Sequence, residues 1–138
     1  MRRYNQIQHT ADLAAEIYGR NLPELFENAA FAMFDMMADL DGLKAEESVR
    51  IKAEGPDQEG LLISWLNELL YTAYIKRIIF TEFRILSLEE NNLTAEAKGQ
   101  KFKEGTNLIK SEIKAATYHD VKIEKTGSGY EVTIVFDV

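Results

Sequence analysis

The sequence contains no cysteine among its 138 residues. Disulfide bonds, thiolate metal sites and cysteine nucleophiles are therefore excluded, which fits a reducing cytoplasmic compartment. No apolar run approaches the length of a membrane span, and the residues after Met1 do not form the apolar segment of a signal peptide. We therefore expect a cytoplasmic protein that is neither secreted nor inserted into a membrane.

The common catalytic signatures are also missing. The chain has no Walker loop, no Gly-x-Gly-x-x-Gly, no Gly-x-Ser-x-Gly and no His-Glu-x-x-His, and it has only two histidines. These absences leave out the usual motifs of nucleotide enzymes, serine hydrolases and zinc proteases. Few groups remain for general acid or base catalysis, so a free-standing enzyme is disfavoured.

Basic residues are scarce in the first part of the chain. Residues 1–60 carry 6 Lys/Arg against 12 Asp/Glu, residues 61–138 carry 10 against 11, and the net charge is −7. An acidic surface repels phosphate backbones and attracts cations. We therefore expect no strong direct binding to nucleic acid, whereas a divalent metal or a basic protein partner fits this charge.

The chain length and a 46% hydrophobic content predict one domain, residues 1–138. Asn21 before Pro23 begins a helix that ends near residues 39–42, and a second apolar stripe from Leu61 ends at Lys76-Arg77. The remaining segments have strand patterns: around Tyr4–Gln8, Leu13–Gly19, Glu47–Ala53, Ile79–Leu88, Leu93–Phe102, Leu108–His119, Val121–Lys125 and Tyr130–Asp137. This order predicts an α+β fold, a two-layer sandwich with two helices packed on a mixed or antiparallel sheet.

His9-Thr10-Ala11-Asp12 is a polar segment between the first two strands. A His and an Asp three residues apart in a turn can reach the same point in space. The alternative is a structural turn in which Asp12 caps backbone N–H groups and His9 packs against them. Four residues do not decide between the two.

The chain terminus places two carboxylates side by side, the side chain of Asp137 and the α-carboxylate of Val138. Such a pair repels itself unless a cation or a base holds it. Hard oxygen ligands favour Ca²⁺, Mg²⁺ or Mn²⁺, and Asp12 would serve as a third ligand if the first and last strands were neighbours. The alternative is a frayed, solvated tail without a ligand.

Lys110, Glu112, Lys114 and Ala116 would share one face if residues 108–119 formed a strand. A solvated face with cross-strand ion pairs is the simpler interpretation, and a phosphate-contacting or partner-contacting surface is the other. The pair Asn67-Glu68 is interpreted as the polar edge of the second helix.

Five blocks of the sequence together resemble the archease family. They follow the family's order and span nearly the whole chain: His9–Asp12, Glu24–Ala30, Leu61–Tyr71, Ile113–His119 and Phe136–Val138. The resemblance implies an accessory protein, not itself a ligase, for the tRNA-splicing RNA ligase that joins a 3′-phosphate or cyclic phosphate end to a 5′-hydroxyl end. Members of the family promote guanylylation of the ligase, support its multiple turnover and broaden its nucleotide use.

The resemblance also implies a divalent cation, usually calcium in the family, with Mg²⁺ or Mn²⁺ as alternatives. Its ligands would be Asp12, Asp137 and Val138, with His9 beside them. The chain departs from the family pattern at Gly99–Phe102 and at Asn107, and these positions receive no role. Lys110 and Glu112 match the family, which implies a part in activating the ligase.

Two other functions are alternatives to activation of an RNA ligase. The first is a metal-dependent hydrolase of a small phosphoester, with His9 as the base. The second is a general chaperone or structural adaptor, in which the metal only fastens the last strand.

Overall fold

The computed structural model describes residues 2–9, 12–103, 105–106 and 108–138, without the side chains of residues 8 and 9. It contains two helices, and its strands form two sheets. The helices are α1 (Leu22–Met37) and α2 (Gln58–Lys76). The strands are β1 (Tyr4–His9), β2 (Asp12–Gly19), β3 (Glu47–Glu54), β4 (Ile78–Leu88), β5 (Asn92–Lys101), β6 (Ala115–Ala116), β7 (Glu124–Thr126) and β8 (Gly129–Asp137).

All strand pairs are antiparallel. The larger sheet has the order β1-β2-β8-β6, with β7 also paired to β8, and the smaller sheet has the order β3-β5-β4. Both α1 and α2 contact strands of both sheets, and one continuous hydrophobic core joins the layers. The predicted α+β class is confirmed, and the strands divide between two sheets.

Each helix begins at a side-chain cap that the sequence indicates. Asn21 Oδ1 accepts a hydrogen bond from the Glu24 N–H at 2.9 Å, and Asp57 Oδ1 accepts one from the Gly60 N–H at 2.7 Å. The two helices are joined inside the core, where the Trp65 indole N–H donates to the Phe26 carbonyl at 2.9 Å. No helix in the described part of the chain is long and apolar enough to cross a membrane.

The strand predicted at Leu108–His119 is largely wrong. Only Ala115–Ala116 forms a strand there, with one further bridge between Ile109 and Ala38. The Lys110 N–H donates to the Met37 carbonyl at the end of α1, at 2.7 Å, so its hydrogen bond goes to a helix end and not to a strand. Lys110, Glu112 and Lys114 therefore do not share a strand face.

Candidate functional site

Asp12 begins β2 and Asp137 ends β8, and these two strands are antiparallel neighbours. Leu13 pairs with Phe136, so the next step of the same register places Asp12 opposite Asp137. Opposed residues of an antiparallel pair carry their side chains on the same face, with Cβ atoms about 4.5–5.5 Å apart. The prediction that the first and last parts of the chain are neighbours in one sheet is confirmed.

Asp12 and Asp137 each pair with a residue of the strand on their other side. His9 pairs with Asp12 across the β1–β2 hairpin, and Ala115 pairs with Asp137. The backbone thus places His9 next to Asp12. Its side chain, like the whole of Thr10 and Ala11, lies outside the described residues, so a role for His9 beside a metal stays a prediction.

The end of β8 is held by the segment that contains β6. The Lys114 N–H donates to the Asp137 carbonyl at 2.8 Å. Thr117 donates twice to the Val135 carbonyl, through its N–H at 3.0 Å and its Oγ1 at 2.8 Å. The chain is therefore an ordered strand as far as Asp137, which contradicts a tail that frays before the carboxylates.

β6 is in turn fixed to α2 by one side chain. The Asn67 Nδ2 donates to the Ala116 carbonyl at 3.1 Å, and the Ala116 N–H donates to Asn67 Oδ1 at 2.8 Å. The sequence placed Asn67 only on the polar edge of the helix. No local pattern in the sequence marks this role, because the partner of Asn67 lies 49 residues away.

The donors at this edge are all oxygen atoms: the carboxylates of Asp12 and Asp137 and the α-carboxylate of Val138. Asp137 and Val138 are exposed and Asp12 is half-buried, so an ion would be reachable from solvent. Among the described residues, no three His, Cys, Asp or Glu side chains gather as a metal cluster. Two side-chain carboxylates completed by the chain terminus fit a hard cation such as Ca²⁺, Mg²⁺ or Mn²⁺.

Lys110 and Glu112 lie in the irregular segment before β6, and both side chains are exposed. They line the same groove together with Tyr74 of α2. The Tyr74 hydroxyl donates to the Ile113 carbonyl at 2.5 Å. Burial raises the pKa of Tyr74 to about 12, and the negative charge of Glu112 contributes to the rise.

Most of the large exposed apolar side chains are on α2, just after β6 or just after β8, and both α2 and β8 contact β6. Five large hydrophobic residues are exposed in the described part of the chain, and only Leu86 lies elsewhere, on β4. Tyr71 and Ile75, 63% and 61% exposed, continue the α2 face that starts at Asn67. Tyr118, 62% exposed, follows β6, and Val138 follows Asp137.

The exposure of Tyr71 and Ile75 was not predicted from the sequence. The signal was present, because they lie outside the apolar stripe of α2 that faces the core, and large apolar residues outside such a stripe are exposed. A large exposed apolar patch is typical of a protein interaction site, whereas single exposed apolar residues are normal on any protein surface.

Known proteins are similar to this one over nearly the whole chain. Residues 4–138 match the family model described as the Archease protein family (MTH1598/TM1083). The protein archease of Methanosarcina barkeri is 38% identical over 99% of this chain and 97% of its own length. The protein archease of Sulfurisphaera tokodaii is 39% identical over all of both chains.

Two solved structures share the fold. The solution structure of protein 1598 of Methanobacterium thermoautotrophicum has a TM-score of 0.83 at 32% identity and covers 100% of both chains. The crystal structure of an archease of Thermotoga maritima, described as a possible chaperone, has a TM-score of 0.67 at 29% identity. That comparison covers 100% of this chain and 98% of the other.

Proposed function

Because the chain belongs to the archease family, we propose that it is an accessory protein that activates a tRNA-splicing RNA ligase. In this proposal it promotes guanylylation and multiple turnover of the ligase, broadens its nucleotide use, and carries out no ligation itself. The observation that supports it most is the convergence of two features at one end of the larger sheet. Asp12 begins β2 and Asp137 ends its neighbour β8, and Asp137 pairs with Ala115 of β6, the strand whose adjoining elements carry exposed apolar residues.

These two features suit a surface that acts on another protein. Tyrosine side chains such as Tyr71 and Tyr118 offer a large contact area at low conformational cost, and they are enriched where proteins meet. The acidic pair would complement a basic region of the partner and speed the encounter. A docking surface that includes the terminus would also explain why hydrogen bonds from Lys114 and Thr117 hold β8 in place up to Asp137.

A divalent cation is part of the proposal. Asp12, Asp137 and the α-carboxylate of Val138 would hold it, with calcium as the first candidate and Mg²⁺ or Mn²⁺ as the others. When bound, such an ion supplies positive charge that can engage phosphate oxygens. The residues of this chain would then keep the ion at the exposed edge, where the partner's substrate can reach it.

The test is ligation by the partner ligase under single-turnover and multiple-turnover conditions. Asp12→Ala, Asp137→Ala and a chain lacking Val138 should each lose most of the stimulation of multiple turnover while keeping a folded circular dichroism spectrum. Asp41→Ala, which removes an exposed carboxylate between α1 and β3, is the matched control and should stimulate like the wild type. Full stimulation by all three edge variants would reject the proposal.

The same assays separate the two other functions. A metal-dependent phosphoester hydrolase would turn over substrate without any ligase present. A general chaperone or structural adaptor would lose melting temperature when the metal is removed but would keep its stimulation of the ligase. It would also suppress aggregation of unrelated proteins, and Tyr71→Ser would reduce that effect as much as it reduces stimulation.

A further inference from the structure

A groove of about 560 Å³ lies between the end of α2 and the chain before β6. This volume is within the range of about 300–1,000 Å³ that is usual for small-molecule sites. The side chains that matter for its chemistry are Tyr74, Arg77, Phe102, Ile109, Lys110 and Glu112. The proposed metal ligands Asp12 and Asp137 are not among the residues that line it.

The walls of the groove are fixed to the body of the protein. Arg77 ends α2 in the left-handed conformation, with φ of 54°, and its carbonyl accepts the Phe102 N–H at 2.9 Å. On the opposite side, the Lys110 N–H is bound to the Met37 carbonyl, and the Tyr74 hydroxyl holds the carbonyl of Ile113. A groove anchored in this way is pre-formed, which lowers the cost of ordering it around a ligand.

The floor and the rim of the groove differ in chemistry. Tyr74, Phe102 and Ile109 are half-buried and supply an apolar floor with two aromatic rings. Arg77, Lys110 and Glu112 are exposed and supply two cations and one carboxylate. A ligand that matches this arrangement has a flat apolar part and an anionic part, with a hydrogen-bond donor for the carboxylate.

The charge around the groove is opposite to that of the rest of the chain. Residues 74–77, 101–103 and 108–112 contain five Lys/Arg and one Glu, whereas the remaining residues contain eleven Lys/Arg and twenty-two Asp/Glu. A local positive region attracts an anion, while the strongly negative remainder repels a long polyanion. The charge pattern therefore favours one terminal phosphate over an extended nucleic-acid track.

We infer that this groove binds a single nucleotide with a terminal phosphate. The base stacks on Tyr74 and Phe102, as unstacked bases do on aromatic side chains. Arg77 and Lys110 contact the phosphate, and Glu112 accepts a hydrogen bond from a base N–H or a ribose hydroxyl. The nucleotide is either free in solution or the last residue of an RNA strand. This inference goes beyond the proposed function and does not depend on a ligase.

Backbone amide NMR of the isolated full chain tests the inference. The probes are AMP, GMP, a short single-stranded RNA with a 3′-phosphate, ribose 5-phosphate and inorganic phosphate. We expect saturable shifts at millimolar ligand, confined to residues 74–77, 101–103 and 109–112, with nucleotides binding more tightly than ribose 5-phosphate or phosphate. Tighter binding of the RNA end than of the mononucleotides would assign the ligand to a strand end, and the reverse order would assign it to a free nucleotide.

Variants connect the shifts to the side chains. Lys110→Gln should weaken nucleotide binding about threefold, as expected for one solvent-exposed charge. Phe102→Leu, which keeps an apolar side chain in the floor, should bring nucleotide affinity down towards that of ribose 5-phosphate. Lys52→Gln removes an exposed lysine of β3 as the matched control and should change nothing.

Three results would overturn the inference. The first is equal affinity for inorganic phosphate and for nucleotides, which would show an anion contact without a base site. The second is the same loss of affinity in Lys52→Gln as in Lys110→Gln, which would show nonspecific charge attraction. The third is that an acidic peptide binds in the groove and no nucleotide does. This result would assign the groove to a protein partner.

Discussion

Asn67 on α2 and Ala116 on β6 exchange two hydrogen bonds, one in each direction, at 3.1 and 2.8 Å. The Asn67 side chain thus takes the place of a neighbouring strand at the outer edge of β6. Because Asp137 pairs with Ala115, this contact connects the helix with the terminal carboxylate edge. It gives that edge a rigid support, as a binding constellation requires.

Asn67→Ala should reduce the free energy of unfolding by about 1–3 kcal/mol, because both polar groups of the buried Ala116 lose their partner. Asn67→Asp keeps the acceptor for the Ala116 N–H but not the donor for its carbonyl, and should fall between Ala and the wild type. Urea unfolding measures the stability. Hydrogen exchange of the Lys114 and Thr117 amides, which bond to β8, measures the local effect. Unchanged protection of both amides in Asn67→Ala would contradict the supporting role.

The sequence predicted the features of this edge that depend on local pattern. The alternating apolar residues near both chain ends indicate strands, but bringing Asp12 opposite Asp137 also requires that these strands be antiparallel neighbours in the observed register, with Leu13 opposite Phe136. The prediction of a strand over residues 108–119 was wrong because the residues alternate as they do in a strand, although most of the segment is irregular. Its hydrogen bonds go instead to Met37, Asn67 and Tyr74, partners far away along the chain.

The division into two sheets was also beyond the sequence pattern. Each strand is recognisable from its own residues, but strand pairing depends on which apolar faces meet in the core. In the groove, the Phe102 N–H donates a backbone hydrogen bond to the carbonyl of Arg77, which lies 25 residues earlier in the chain. That contact continues the β4–β5 register, in which Ile78 pairs with Lys101.

Gly99→Ala should destabilise the protein more than a surface change does. A Cβ at Gly99 would overlap the carbonyl of Ile79 and the Cα of Phe80 on the paired strand β4, and backbone atoms cannot move aside as a flexible side chain can. We expect a loss of about 1–3 kcal/mol, typical of overpacking. Gly127→Ala is the matched control, because a Cβ there meets no atom within 4 Å. Equal melting temperatures for the two variants would show that β4 and β5 separate without cost.

Tyr74 should make the protein less stable at alkaline pH. Its pKa is raised from 10.0 to about 12 by burial and by the charge of Glu112. The folded state therefore retains the phenol proton where the unfolded state has lost it. This contribution to stability is fully present below pH 10 and declines as the pH rises towards 12. Tyr4 also has a raised pKa, because of burial and its hydrogen bond to Asp35, so it adds to the same loss.

Tyr74→Phe isolates the contribution of the Tyr74 hydroxyl. Urea unfolding between pH 9 and the folded-state pKa of about 12 should show the stability difference between wild type and Tyr74→Phe shrinking as the pH rises. Tyr4→Phe is the control, because the raised pKa of Tyr4 comes from burial and from Asp35 and not from Glu112. A difference between wild type and Tyr74→Phe that is constant across this range would mean that the Tyr74 hydroxyl titrates normally.

Calcium should raise the melting temperature of the wild-type chain, because a ligand that binds only the folded state stabilises it increasingly as its concentration rises. The Asp12–Asp137 pair exists only when β2 and β8 are paired, so the unfolded chain offers no equivalent site. At a calcium concentration one hundred times the dissociation constant, the gain in the free energy of unfolding is about 2.7 kcal/mol.

Asp12→Asn and Asp137→Asn remove one charged ligand each and should lose most of this response to calcium. Asp41→Asn should respond to calcium like the wild type, and an equal response in all three variants would place the ion elsewhere on the acidic surface.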